Sequence, residues 1–445
     1  MFSLFRRKNK PVVLPRAEHC ISRKDIDPDA LKILYRLAAL NFEAYLVGGS
    51  VRDLLLHRRP KDFDIGTDAR PREIKARFKN CFLVGKRFRL AHIVYGKKTF
   101  ETATFRRAPD ETAVADERGL YMAEDNAFGT PEEDARRRDF TVNGLFYDIR
   151  TFSVIDYVGG LEDLKAKTIR SIGDPAIRFR EDPVRMMRAV RFAAKLGFEI
   201  APKDLKAIRL YAPELAKASS ARLCEEIQRL FVQGASERSL RLAYDNGLLH
   251  ALLPEMAAWL DRTPKCRERA WLALRTLDAL SAKGETTSAV AIAALYAPCF
   301  LEAARDPLPK RTPEMPCSPR RMLAEAVLKP IVRAYRLPRA VWMTAADVFE
   351  LSPRFCVMPK PDSPRDQRFV ASPLFPEILQ GAEILAALAP DAGWKLDEWR
   401  AFAQSRRDAF DAPTGKNNPH SRRSRRRPPR RKRDAPPPAG QPVAP

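Results

Sequence analysis

The spacing of apolar positions changes character along the chain, and the changes divide it. Between residues 25 and 41 (DIDPDALKILYRLAALN) apolar side chains fall at 31, 34, 37, 38 and 40, a helical period with aspartate at its start. FEAYLVGG then reads as a strand, SVRDLLLH as a helix, KDFDIGT as a second strand and RPREIKARFK as a second helix. CFLVGKRFRLAHIVYG and KTFETATFR read as two more strands, and TVNGLFYDI with SVIDYVGG as a closing hairpin. A β-α-β opening followed by further strands predicts a small mixed sheet backed by helices. Residues 107–130 are polar, acidic and aperiodic, and read as a loop.

From about 175 the strand signal fades. PVRMMRAVRFAAKLGF, LKAIRLYAPELAKA, ARLCEEIQRLFVQG and SERSLRLAYDNGLLHALLP all carry helical spacing. Helices are expected to continue to about 410, broken by proline-rich stretches at 307–319 and 353–376. Five segments follow: an N-terminal extension (1–24), a mixed head (25–172), a helical neck (173–260), a helical body (261–412) and an Arg/Pro-rich tail (413–445). The tail runs SRRSRRRPPRRKR into PPPAGQPVAP, without aliphatic core formers, and is expected to be disordered.

Charge narrows the partners. The 445 residues carry 80 Lys and Arg against 56 acids, a net +24, of which the tail holds only nine. An excess spread over the folded part favours a polyanion such as nucleic acid. A membrane is disfavoured, because no apolar run approaches the ~18 residues of a spanning helix. Seven scattered cysteines without a CxxC pair fit a reducing cytoplasm rather than a disulfide framework or a zinc cluster. The N-terminal MFSLFRRKNKP lacks the apolar stretch of a signal peptide. Five histidines with no HxxxH spacing, and no P-loop, leave zinc hydrolases and P-loop ATPases without support.

The chemistry concentrates in residues 46–65, LVGGSVRDLLLHRRPKDFDI. A strand runs into Gly48 and Gly49, a helix opens at once, and the next strand carries Asp62 and Asp64. Positions i and i+2 of a strand share a face, so both carboxylates aim at one spot. That spot adjoins a glycine turn and a helix N-terminus, where backbone N–H groups receive phosphate. Paired acids hold a divalent cation, and Mg²⁺ favours a few carboxylates plus substrate phosphates. A D-x-D alone is usually a solvated edge, but the upstream glycine turn makes a nucleotidyl-transfer site the better reading. Arg52, one turn into the helix, is placed to clamp phosphate or to pair with Asp53.

RRRDFTVNGL (136–145) mixes cation, acid and amide. Asp139 reads as a third carboxylate that supports the metals or orients Arg138, with Asn143 near the sugar, and Glu101 on KTFETATFR competes for the third-acid role. In REDPVRMMRAVRF (180–192), Asp182 before a proline is a natural helix cap. Arg185, Arg188 and Arg191 share one face of that helix, opposite a buried face of Met186, Met187, Val190, Ala193 and Ala194. An acid and arginines on one face also suit the reading of a base edge.

These blocks resemble the class II nucleotidyltransferases, the family of bacterial poly(A) polymerases and tRNA CCA-adding enzymes. The resemblance is strong over residues 12–260. Within the family, VLPRAEHCISRKDIDPDALKILYRL, CFLVGKRFRLAHIVYG and the basic tail resemble the poly(A) polymerase branch. It implies an α+β fold: a polymerase-β-like head, then all-α neck and body domains that grip RNA. It also implies that Asp62 and Asp64 hold Mg²⁺ and that Asp139 completes the catalytic set. Gly49, Arg52, Arg138, Asp182, Arg185 and Arg188 would contact ATP, with Asp182 and Arg185 judging the base. The expected activity is template-independent addition of AMP to RNA 3′ ends in RNA processing and decay, by a cytoplasmic monomer that meets RNA-decay proteins. CCA addition to tRNA is the alternative. Ser50 and Gly144 depart from the residues usual in the family.

Overall fold

The computed structural model describes residues 10–85, 90–107, 128–232 and 234–411. Most of the stretch read as a loop, and all of the tail, lie outside the described residues. One eight-stranded sheet organises the head: β1 (Val12–Leu14), β2 (Ala44–Val47), β3 (Asp64–Thr67), β4 (Cys81–Val84), β5 (Leu90–Tyr95), β6 (Lys98–Thr104), β7 (Leu145–Asp148) and β8 (Ser153–Asp156). The spatial order is β1-β8-β7-β2-β3-β6-β5-β4. β3 and β6 run parallel, and the other neighbours within this sheet are antiparallel. β2 lies near the centre, and all four of its residues are buried, which suits a short apolar run covered on both faces.

Two parts of the sheet differ from the sequence pattern. Residues 81–104 form three strands instead of two, because the run 81–96 divides after Gly85, where φ is +96°, into β4 and β5, which pair antiparallel. The segment read as an extension supplies β1, which pairs with β8 in the register Val12↔Asp156 and so forms an edge of the sheet. Three residues are too few for a periodic signal.

Helices cover the sheet and then continue alone. α1 (Pro28–Ala39) is capped by Asp27, whose carboxylate accepts from the Asp29 N–H at 2.9 Å. α2 (Gly49–Leu55) and α3 (Pro71–Arg77) follow β2 and β3. α4 (Pro131–Arg137) occupies the run read only as arginines, started by a reciprocal capping box between Thr130 and Glu133. α5 (Gly160–Lys165), α6 (Pro175–Glu181), α7 (Val184–Leu196), α8 (Pro202–Tyr211) and α9 (Ser220–Phe231) lead through the neck. A two-stranded parallel bridge, β9 (Thr168–Ile169) with β10 (Glu199–Ile200), ties the end of the head to the neck.

α7 buries the expected face: Met186, Met187, Val190 and Ala193 are all within the core. It ends at Gly197 in the left-handed region, φ +75°, with its N–H turned back to the Ala193 carbonyl. The body consists of long helices such as Pro264–Lys283 and Ser288–Ala303, the latter buried on every side from Ala289 to Pro298. No helix spans 304–318, whereas the second proline-rich stretch contains the helix Pro364–Val370. The main apolar core runs from Ile21 to Leu385, with separate clusters around Phe355 and Trp399 and around Tyr45, Phe105 and Phe146. Among the described residues no helix is long and apolar enough to cross a membrane.

Gly66 sets how closely β3 seats. A Cβ there would lie 2.7 Å from Phe105 Cε1 and 3.0 Å from Val47 Cγ1. Gly66→Ala should therefore destabilise by about 1–3 kcal/mol through overpacking. A smaller side chain at Phe105 in the double variant Gly66→Ala/Phe105→Leu should recover part of the Gly66→Ala loss, read as the shift in urea midpoint relative to Phe105→Leu alone.

Candidate active site

The Gly48–Gly49 turn is built as the spacing suggests. Gly48 adopts φ +74° and ψ −132°, a conformation that L side chains avoid, and α2 starts directly after it. Its N–H donates to the Leu145 carbonyl at 3.0 Å, tying the turn to β7. A Cβ on Gly48 would meet Arg138 Nη1 at 2.9 Å, so the missing side chain lets a guanidinium rest on the backbone. Asp64 opens β3, while Asp62 lies two residues before it, outside the strand. Both still face one cavity of about 800 Å³.

That cavity collects every residue singled out for the site: Gly48, Gly49, Arg52, Asp62, Asp64, Arg138, Asp139, Asn143, Asp182, Arg185 and Arg188. Head and neck both contribute, with α7 and α9 closing the side opposite β3. Glu101 is not among the lining residues. It sits on β6 beside Asp64, since Ile65 registers with Thr102 and the two strands are parallel.

The carboxylates fall into two electrostatic states. The Asp64 carboxyl is pushed up to about 6, first by burial and then by the negative charge of Glu101, with Asp62 adding to it against Arg138. Such a cluster lowers its energy by gaining a cation. Two acids of one sign, one partly buried and one exposed at the cavity, are a donor set that fits a hard divalent ion.

Asp139 is the reverse. Burial opposes its charge, yet Arg188 holds it down to about 2, helped by the Asn143 amide and the Phe140 N–H. Arg188 Nη2 lies 2.6 Å from Asp139 Oδ2 and its Nε donates to the same oxygen at 2.8 Å. Asn143 Nδ2 donates to Oδ1 at 3.1 Å, and the Phe140 N–H at 2.8 Å. Both oxygens are thus occupied by protein donors.

The arginines are similarly engaged. Arg52, 3% exposed, takes the ion-pair alternative: Nε and Nη2 donate to Asp53 Oδ1 at 2.8 and 2.7 Å, and Nη1 donates to Asn143 Oδ1 at 2.5 Å. Arg138 donates to Asp134 Oδ2 at 2.9 and 3.2 Å. Arg185 pairs with Glu181 at 3.0 Å. Asp182 accepts from the Val184 N–H at 3.3 Å and takes both Arg222 nitrogens, at 3.0 and 2.7 Å. The helix after it starts at Val184, with Pro183 as the cap residue.

Several cavity residues escaped the sequence reading. Asp134 was readable: the T-P-E-E capping box predicts a helix, and Asp134 then stands four residues before Arg138. Arg222, Glu226 and Arg229 on α9 had no local signal. Glu226 is buried and binds Arg191 at 2.8 Å and Arg188 at 3.5 Å. Gly144 has a steric cause, because a Cβ there would lie 2.5 Å from Val158 Cγ2.

A mixed sheet with acids beside a glycine turn, faced by an arginine-rich neck, is an arrangement suited to nucleotidyl transfer. Residues 44–170 match the family described as Poly A polymerase head domain, and residues 197–260 match Probable RNA and SrmB- binding site of polymerase A. Over these two segments the head and neck are similar to the poly(A) polymerase group of nucleotidyltransferases. Poly(A) polymerase I of Escherichia coli O157:H7 is 48% identical over 252 residues, 56% of this chain and 54% of that protein. The Haemophilus influenzae Poly(A) polymerase I is 43% identical over 259 residues, 57% of each. The CCA-adding enzyme of Bacillus licheniformis is 37% identical over 229 residues, 52% of this chain and 56% of that one. The chain spans about half the length of the curated relatives it matches. Among solved structures, the Bacillus stearothermophilus CCA-adding enzyme in complex with CTP superposes with a TM-score of 0.62 at 27% identity, covering 86% of this chain and 83% of that one.

Asp139→Asn should leave Arg188 charged and poorly paired, costing about 3–5 kcal/mol at neutral pH in urea unfolding. Because the folded Asp139 carboxyl sits below its unfolded value, its stabilisation is present above pH ~4 and lost as pH falls toward 2. The gap between variant and wild type should narrow over that window.

Proposed function

We propose that the chain is a poly(A) polymerase that adds AMP units from ATP to RNA 3′ ends without a template, releasing pyrophosphate. The observation that carries this reading is the single cavity joining Asp62 and Asp64 to the Gly48–Gly49 turn and an arginine wall. Asp62 and Asp64 are the residues to hold Mg²⁺, which when bound neutralises phosphate charge and lowers the pKa of the attacking hydroxyl. The N-terminal end of α2 and the Gly48 backbone receive the triphosphate, with Arg138 laid against them.

Asp139 completes the site by fixing Arg188 and Asn143 in place. Its two oxygens are occupied, so Glu101, next to Asp64, is the better third acid near the cation. Asp182 and Arg185 lie where a base edge would be read, since a carboxylate accepts and a guanidinium donates. Arg52 orients Asn143 toward the sugar. The role in RNA processing and decay, action in the cytoplasm as a monomer, and contact with RNA-decay proteins belong to the same proposal.

A CCA-adding enzyme is the second reading, favoured by the 37% identity to the Bacillus licheniformis enzyme. Purified protein given all four nucleotides separates the two. Long oligo(A) on arbitrary RNA supports the polymerase, and C-C-A added only to trimmed tRNA overturns it. Asp62→Ala and Asp64→Ala should each lower AMP incorporation by about 10²–10³-fold while filter retention of RNA stays unchanged. Incorporation that survives both substitutions would remove the metal assignment.

A further inference from the structure

Asp62 stands on a divide between two cavities. Beyond the active-site cavity it also lines a second cleft, of about 1030 Å³. The walls of this cleft come from the segment 20–28 ahead of α1, the α2–β3 connection at 57–63, and the β5–β6 turn at 97–100. Phe63 separates the two aspartates in sequence, and it lines this second cleft but not the first. The connection therefore turns Asp64 to the first space and Phe63 to the second, with Asp62 shared between them.

Six cations line the second cleft together with the acids Asp25, Asp27 and Asp62, and the cations are of two kinds. Arg58 and Lys98 are committed to the fold: Arg58 donates to the Lys195 and Leu196 carbonyls at 3.1 and 3.3 Å, and Lys98 pairs with Asp27 at 2.7 Å. Lys24, Arg59, Lys61 and Lys97 are exposed, and among the described residues their side chains make no hydrogen bond or ion pair. Four such cations, gathered from three chain segments, outnumber the exposed acids Asp25 and Asp62 beside them. A solvated basic face would explain them if they were scattered, but they line one cleft that opens onto Asp62.

On the polymerase reading, the first cavity belongs to the nucleotide, and the RNA 3′ end must reach the same carboxylates from another side. We propose that the second cleft holds the sugar–phosphate backbone of the RNA just behind its 3′ end. Lys24, Arg59, Lys61 and Lys97 meet phosphates, and Phe63 offers a ring face near the terminal bases. Phosphate contacts of this kind carry no sequence choice, which suits an acceptor of any sequence. The head thereby gains an RNA contact separate from the neck segment 197–260. The identity of the strand end rests on the polymerase reading, whereas binding of RNA in the cleft does not.

The test uses the full chain and the exposed-surface variant Lys24→Glu/Arg59→Glu/Lys97→Glu, with a fluorescent oligoadenylate ending in a 3′-deoxynucleotide and no ATP. Affinity measured across a salt series should weaken at least about tenfold. The slope of log K against log salt should fall by about 2, for three contacts at ~0.7 each. The KM for ATP at saturating RNA should stay unchanged. If thermal melting shows the variant misfolded, the Lys24→Gln/Arg59→Gln/Lys97→Gln variant gives the same readout. Wild-type affinity and slope in the folded variant would overturn the proposal. Polyglutamate competing as well as RNA would also overturn it, because the cleft would then be a surface for acidic protein. Wild-type protein that binds RNA through the cleft yet never extends it would leave this site standing and remove the polymerase reading instead.

Discussion

The ion pair between Arg188 and Asp139 holds the site together. Arg188 lies on α7 in the neck, and Asp139 follows α4 in the head, so their contact fixes one against the other. From Asp139 the connection continues through the Asn143 amide to Arg52 and then to Asp53 on α2, the helix that the Gly48 turn starts. On the other side, Arg188 and Arg191 share Glu226 of α9. One chain of charge-assisted bonds thus runs from the glycine turn to the far wall of the cavity. Every member has a partner, the condition under which a buried polar network rigidifies a site instead of weakening it.

The same arrangement explains why the two kinds of aspartate differ. Asp139 sits among donors and stays ionised well below the ordinary carboxylate range. Asp64 sits among acids and is pushed up. A protein with a large excess of cations has left a small cluster of carboxylates short of positive partners at the cavity. That local inversion of the overall charge is what a cation site beside a phosphate site requires. On the proposed reading the nearby arginines neutralise phosphate and the acids are left for the metal.

Local pattern made the head's opening legible. Strand, Gly-Gly turn, helix and aspartate strand each declare themselves within a few residues, and the α7 faces follow from the three- and four-residue spacing of its arginines and apolar side chains. The pattern was blind to partners distant in sequence. Asp139 and Arg188 are 49 positions apart, Arg52 and Asn143 are 91, and Asp182 and Arg222 are 40. No period predicts such pairs, so Arg52 was readable as a residue of the site but not as one already held by Asn143. β1 escaped because its pairing with β8 adds three residues to an edge. The Asp62 placement illustrates a subtler limit: its side chain reaches the expected cavity although the strand begins only at Asp64.

The resting partners also sort the arginines by what a phosphate ligand can take from them. An anion entering the cavity competes with the acid that each guanidinium already holds. Arg185 pairs with Glu181, whose side chain is 34% exposed, and Arg222 is itself 55% exposed. Each of these pairs keeps one partner in contact with solvent, so on the proposed reading a triphosphate displaces them at lower cost than a buried pair. Arg188 pairs with an Asp139 side chain that is only 10% exposed. Separating that pair strands a buried carboxylate at a cost of about 3–5 kcal/mol, comparable to a large part of a ligand's affinity. Arg188 therefore acts as fixed framework, contributing its field and any free N–H without leaving Asp139. The donors free to swing onto a ligand are Arg185 and Arg222, and both lie beside Asp182. Releasing Arg222 frees most of the Asp182 carboxylate in the same movement, so on the proposed reading phosphate capture and exposure of the acid that would read the base draw on one exposed, two-pronged pair.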